Sequence, residues 1–249
     1  MDRYSLVFES CIKVENNIWF SSGSYNGLYR YNLCDKRTER VLSFPNERQK
    51  QGYLYYKICK YQQKLIFIPC WANYLSIFDL ESKKLKQIEI PHFSKQNKAY
   101  SDFMEGIVYR DLLYVIGYTY PGIIKVNLKT YEIKKVYVVK ESAKSSEGIF
   151  FGSRVTNIDN FLYIPCCYKN AILRYDMNTD NITFFEIGEK SNQYSQIVKD
   201  NQKNYLLTRN TNEVFLWDEE DYSGIKLDVN FKKKYRDAYL RISEKYVWA

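Results

Sequence analysis

A chain of 249 residues with 45% hydrophobic content carries enough apolar side chain for a packed core, which excludes a disordered polypeptide. Tyr occurs 25 times and Phe 14 times against 10 Gly and 5 Pro, a composition that favours pleated, half-buried surfaces. The excess of 37 Lys and Arg over 29 Asp and Glu is spread along the chain; its densest run, Lys232-Lys233-Lys234-Tyr235-Arg236, has no nucleic-acid motif beside it, so nucleic-acid binding is not expected.

One pattern recurs five times. Each copy opens on Asn or Pro, has an apolar residue two positions on, an aromatic residue or Val five positions on, and closes on Asp or Asn one residue later. In chain order the copies are Asn26-Gly-Leu-Tyr-Arg-Tyr-Asn32, Asn73-Tyr-Leu-Ser-Ile-Phe-Asp79, Pro121-Gly-Ile-Ile-Lys-Val-Asn127, Asn170-Ala-Ile-Leu-Arg-Tyr-Asp176 and Asn212-Glu-Val-Phe-Leu-Trp-Asp218. The closing positions are 47, 48, 49 and 42 residues apart, the size of one propeller blade. About a dozen residues before each lies a short apolar run, at 18–20, 65–68, 113–116, 161–164 and 205–207, which reads as a buried strand. Another strand precedes the run, and a fourth follows the closing residue, as at 40–44, 87–90 and 183–187.

This predicts one all-β domain over 1–249, a β-propeller of four-stranded antiparallel blades, five complete and a sixth partial. The aromatics at 31, 78, 175 and 217 are expected to pack between blades. Residues 238–245 match a first strand and turn, and 246–249 begin a second, with no third strand after it. Residues 4–8 would run parallel beside them, a poor fit to an antiparallel blade. The sixth blade is therefore expected to be completed by further residues, by another copy of the chain or by a second polypeptide, with self-association as a consequence.

The segments Asn17-Ile-Trp-Phe20 and Gly27-Leu-Tyr-Arg-Tyr-Asn32 resemble the propeller repeats of two-component regulators, in the first blade only. Kelch repeats are disfavoured because no Gly-Gly pair occurs. WD repeats are disfavoured because Trp217-Asp218 stands alone without a Gly-His partner. The resemblance to antibiotic-inactivating propeller lyases is one of fold: those enzymes use a His and a metal-assisted carboxylate, and His92 is the one His here. The resemblance implies a superfold rather than an activity.

The turns between second and third strands and the links between blades converge on the end where each first strand begins, the upper face. This set contains Arg48, Trp71, Tyr74, Tyr118, Glu147, Tyr168 and Arg209, and Arg154 opens a first strand near the axis; these eight are the expected ligand-binding residues. The expected function is non-catalytic binding or scaffolding, with a protein, peptide or glycan as partner. The alternative is a lyase or hydrolase using Glu105 and Glu147. Six cysteines, at 11, 34, 59, 70, 166 and 167, lack CxxC spacing and read as reduced, mostly buried thiols; no metal, cofactor or disulfide is expected. The Ile-Pro-Cys repeats ending at Cys70 and Cys166 read as packing rather than as a reactive pair. No apolar run approaches a membrane span, and the N-terminus has no basic region followed by an apolar stretch, so a cytoplasmic protein is expected, or a secreted one whose signal peptide was removed.

Overall fold

The computed structural model describes residues 10–49, 52–92, 101–139, 148–200, 203–211 and 213–228. Glu147, Asn212 and the segments 4–8 and 238–249, on which the partial sixth blade rests, lie outside the described residues.

Among the described residues there is no helix, and the strands form five separate four-stranded antiparallel sheets, each in chain order. Blade 1 comprises β1 (Cys11–Val14), β2 (Asn17–Ser21), β3 (Leu28–Asn32) and β4 (Thr38–Leu42). Blade 2 comprises β5 (Tyr55–Tyr61), β6 (Lys64–Pro69), β7 (Tyr74–Asp79) and β8 (Leu85–Glu89). Blade 3 comprises β9 (Phe103–Tyr109), β10 (Leu112–Gly117), β11 (Gly122–Asn127) and β12 (Ile133–Tyr137). Blade 4 comprises β13 (Thr156–Ile158), β14 (Phe161–Pro165), β15 (Ala171–Asp176) and β16 (Ile182–Glu186). Blade 5 comprises β17 (Tyr194–Asp200), β18 (Lys203–Thr208), β19 (Val214–Trp217) and β20 (Gly224–Leu227).

The closing Asp or Asn of the repeat has a local cause. Its side-chain Oδ1 accepts the N–H groups that follow the third strand: Asn32 from Cys34 and Asp35, Asp79 from Glu81 and Ser82, Asn127 from Lys129 and Thr130, and Asp218 from Glu220 and Asp221. Asp176 takes Asn178 N–H and the Thr179 hydroxyl. Either residue type supplies the carbonyl-like oxygen that such a turn requires. Four positions later the backbone enters the left-handed region in every blade, at Lys36, Lys83, Tyr131, Asp180 and Tyr222, with φ from 57° to 65°. The turn between first and second strands repeats the device at Glu15, Gln62, Arg110 and Asp159, with φ of 52° to 53°.

Four hydrophobic clusters fill the four seams between successive blades. The third-strand aromatic meets a second-strand residue of the preceding blade: Phe78 lies 5.6 Å from Trp19, Tyr175 lies 5.8 Å from Tyr114, and Trp217 lies 5.0 Å from Tyr163. In blade 3 the same position is Val126, and its counterpart in blade 2 is the aliphatic Ile66; both sit in one cluster. Matched volume across each seam explains why the repeat tolerates Val there. Tyr31 and Tyr205, the two ends of this series, are half-buried.

Cations bolt the outer edges of the seams. Lys83 of blade 2 lies 5.9 Å from the Trp19 ring of blade 1, Lys86 lies 3.9 Å from the Tyr131 ring of blade 3, and Arg174 of blade 4 lies 5.4 Å from Tyr222 of blade 5. Between blades 3 and 4, Asp180 receives Lys125 at 2.5 Å, Lys134 at 2.9 Å and the Tyr175 hydroxyl. Partial burial pushes this carboxyl up, but the three donors outweigh it and hold it well below the usual carboxylate range. A depressed carboxylate contributes stability that is present above its unfolded value and is lost as pH falls. Asp180→Asn is therefore expected to cost about 1–2 kcal/mol at pH 7, discounted for the partly solvated site, with the deficit shrinking below about pH 4. Chemical unfolding of both proteins at several pH values checks this.

Candidate functional site at the upper mouth of the axis

First strands of adjacent blades lie side by side, with β1 next to β5, β5 next to β9 and β13 next to β17. Ile58 N–H donates to Ser10 Oγ at 3.2 Å, the Cys59 thiol to Gly106 O at 3.1 Å, and Ile197 N–H to Arg154 O at 3.3 Å. Where they begin, β5, β9 and β17 each carry a bulge at the same place, leaving Tyr56, Met104 and Ser195 out of register. A bulge bends its strand and re-aims the next side chain. The residues that follow are Lys57, Glu105 and Gln196, and the equivalent positions of blades 1 and 4 are Ser10 and Arg154. All five stand 22 residues before the closing residue of their blade.

Glu105 is buried, and its carboxylate receives Lys57 Nζ at 3.0 Å and Gly106 N–H at 3.0 Å. Burial pushes the Glu105 carboxyl up from its ordinary value, opposed by Lys57, by the Gly106 N–H and by the field of Arg154. Arg154 is exposed, and its guanidinium makes no hydrogen bond or ion pair with the described residues. The segment that carries it is fixed, because Ser153 N–H donates to Ser195 O at 3.0 Å and a Cβ on Gly152 would lie 2.1 Å from that same oxygen.

Two further acids on this face are consumed by structure. Buried Glu47, in the link to blade 2, accepts Asn73 N–H at 2.7 Å, Asn73 Nδ2 at 3.0 Å and Tyr74 N–H at 3.2 Å. Asp102 Oδ2 lies 2.8 Å from His92 Nδ1, and its Oδ1 accepts the Thr119 hydroxyl at 3.0 Å. His92 Nε2 lies 3.1 Å from Asn73 O. Both ring nitrogens thus face acceptors, and both contacts are hydrogen bonds only in the imidazolium form. The pair ties the second-to-third turn of blade 2 to the start of blade 3.

Of the expected ligand residues, Arg48 is exposed on the first link, and Trp71, Tyr74, Tyr118 and Arg209 are half-buried around the face. Tyr168 is half-buried, sits edge-on to Phe150 at 6.0 Å and Phe151 at 6.3 Å, and burial pushes its hydroxyl up. Tyr25 and Tyr53, which sequence reasoning missed, are 42% and 43% exposed in the second-to-third turn of blade 1 and the approach to β5. The thiols divide: Cys59, Cys166 and Cys167 are buried and Cys70 half-buried, whereas Cys11 and Cys34 are exposed. Burial pushes the Cys59 thiol up to about 12 and the Cys166 thiol further, which leaves both inert. No group of three or more His, Cys, Asp or Glu among the described residues is arranged to hold a metal ion.

No protein family profile matches the chain, and no curated protein matches it by sequence. Solved structures do match in shape. One is described as the extracellular domain of a one-component system of B. thetaiotaomicron, with a TM-score of 0.64 and 14% identity over 91% of this chain and 28% of that one. A second is a catalytically inactive variant of virginiamycin B lyase from Staphylococcus aureus with quinupristin, with a TM-score of 0.67 and 14% identity over 93% of this chain and 73% of that one. A streptogramin B lyase gives 0.65 at 12% identity, over 92% and 72%. The fold is a β-propeller. At such identities the likeness extends to the fold alone, and the chain spans little more than a quarter of the one-component-system domain's length.

Proposed function

We propose that this propeller is a non-catalytic binding module that recognises a protein, peptide or glycan on its upper face. The observation that carries the reading is the division of polar groups there. Glu47, Asp102 and Glu105 are turned to structural partners, while Arg48 and Arg154 and the rings of Tyr25 and Tyr53 are presented outward. Rigid aromatic planes with directed cationic donors favour adhesion over bond cleavage. One observation favours the alternative, a lyase or hydrolase, and the lyases among the similar structures belong with it: His92 is oriented by a carboxylate, as a general base would be. Its second nitrogen, however, rests on a backbone carbonyl, and Glu105 is held by Lys57.

The same reading goes with a cytoplasmic protein, or with a secreted one whose signal peptide was removed. The test of function is a peptide and glycan array probed with the wild type and with a Trp71→Ala, Tyr118→Ala double variant. The expected result is a bound class lost in the variant and unaffected by chelators. Metal-dependent turnover of an array member would sink the reading in favour of the enzyme.

A further inference from the structure

Resting on the binding reading, we infer that the upper mouth of the axis carries an oxyanion subsite, centred on Arg154 and backed by Lys57, that receives a carboxylate or phosphate group of the ligand. Lys57, Glu105 and Arg154 stand at one level on successive first strands, so two cations meet one carboxylate. Ser10 and Gln196, at the same level, are neutral. Glu105 is already answered by Lys57 and by the Gly106 N–H, and it is buried, so among the described residues the surplus positive charge appears at the exposed guanidinium of Arg154. Glu47 and Asp102 are held by their own hydrogen-bond partners, and no ion pair joins either to Arg154 among the described residues. Glu189 and Lys190, both exposed in the link to blade 5, offset each other.

Position and chemistry then define the guest. The backbone of 152–154 is locked against β17, so the guanidinium is presented from a fixed base rather than from a loose loop. Its planar fork offers two parallel N–H groups, a geometry that matches the paired oxygens of a carboxylate or phosphate. The Ser153 hydroxyl accepts Gln196 Nε2 at 3.5 Å and keeps its own proton to donate to the same guest.

The test is a titration of the 15N-labelled full chain with sodium malonate and, separately, with inorganic phosphate, at constant ionic strength held with NaCl. Saturable shifts are expected at the amides of 153–155 and 195–197 and at the Gln196 side-chain amide. Arg154→Gln should weaken binding roughly tenfold or more, as loss of charge-assisted hydrogen bonds requires. Lys190→Gln, an equal charge change on the same face, should leave it unaltered. Tighter binding of malonate assigns the guest as a carboxylate, and tighter binding of phosphate as a phosphoryl group. Scattered or unsaturable shifts, or equal weakening by the two variants, would overturn the subsite. The two readings fail separately: metal-dependent turnover of an array member removes the binding reading and leaves an Arg154-dependent titration standing, whereas a flat titration removes the subsite alone.

Discussion

Trp217→Ala will lower the unfolding free energy by about 3–5 kcal/mol, the largest single effect expected in the described residues. Trp217 is 2% exposed, and it seals the seam between blades 4 and 5 against Tyr163, Ile172, Leu206 and Phe215. Its truncation leaves a cavity bounded by two sheets whose backbone ladders cannot collapse inward. The indole N–H has no hydrogen-bond partner among the described residues, so its loss adds nothing to the cost. Trp217→Phe, which keeps most of the ring volume and removes that orphaned donor, should therefore retain more than half of the lost stability. Equilibrium denaturation checks both variants, and equal losses for Ala and Phe would show that volume is not the operative term.

Lys57→Met will destabilise the protein by about 2–3 kcal/mol at pH 7, less than a fully buried pair would lose because water reaches Lys57. Lys57 is the cation that opposes the upward push of burial on the Glu105 carboxyl. Without it that carboxyl rises further. A carboxyl raised in the folded state holds its proton in the native protein at pH values where the unfolded chain has released it, so stability declines as pH climbs from about 4.3 through the raised value. The deficit of Lys57→Met should thus be small below about pH 4 and full at neutral pH, and adding Glu105→Gln should recover most of it. A deficit independent of pH, unrelieved by Glu105→Gln, would show that lost packing of the lysine stem is responsible instead.

The blade plan was legible because each of its parts has a local chemical cause. Asn32, Asp79, Asn127, Asp176 and Asp218 recur because a side-chain oxygen must gather the turn that follows, and neighbouring blades do not alter that need. Why Val126 stands where other blades have an aromatic was not legible: it shares a cluster with Ile66, about 60 residues away, which no window along the chain can display. Arg154 was legible as a first-strand residue near the axis. Its level, shared with Ser10, Lys57, Glu105 and Gln196, could have been found by counting back from the closing residue, but the bulges that turn these positions have no sequence marker. Lys57 was missed for that reason. Asp102 was missed as the partner of His92 because nine residues of link separate them. The rings of Phe150 and Phe151 beside Tyr168 were not legible either, since they sit in the link before blade 4 and far from it in the repeat.

The central claim is that the upper face holds its ligand without transforming it. The most direct measurement is a crystal structure of the chain with a compound selected from the array, solved at a resolution that shows every covalent bond of that compound. Intact density lying against Trp71, Tyr118 and the exposed Tyr25 or Tyr53, with an acidic group on Arg154, is the predicted result. Density for a cleaved or eliminated product beside His92, or a ligand seated on the opposite face, would contradict it.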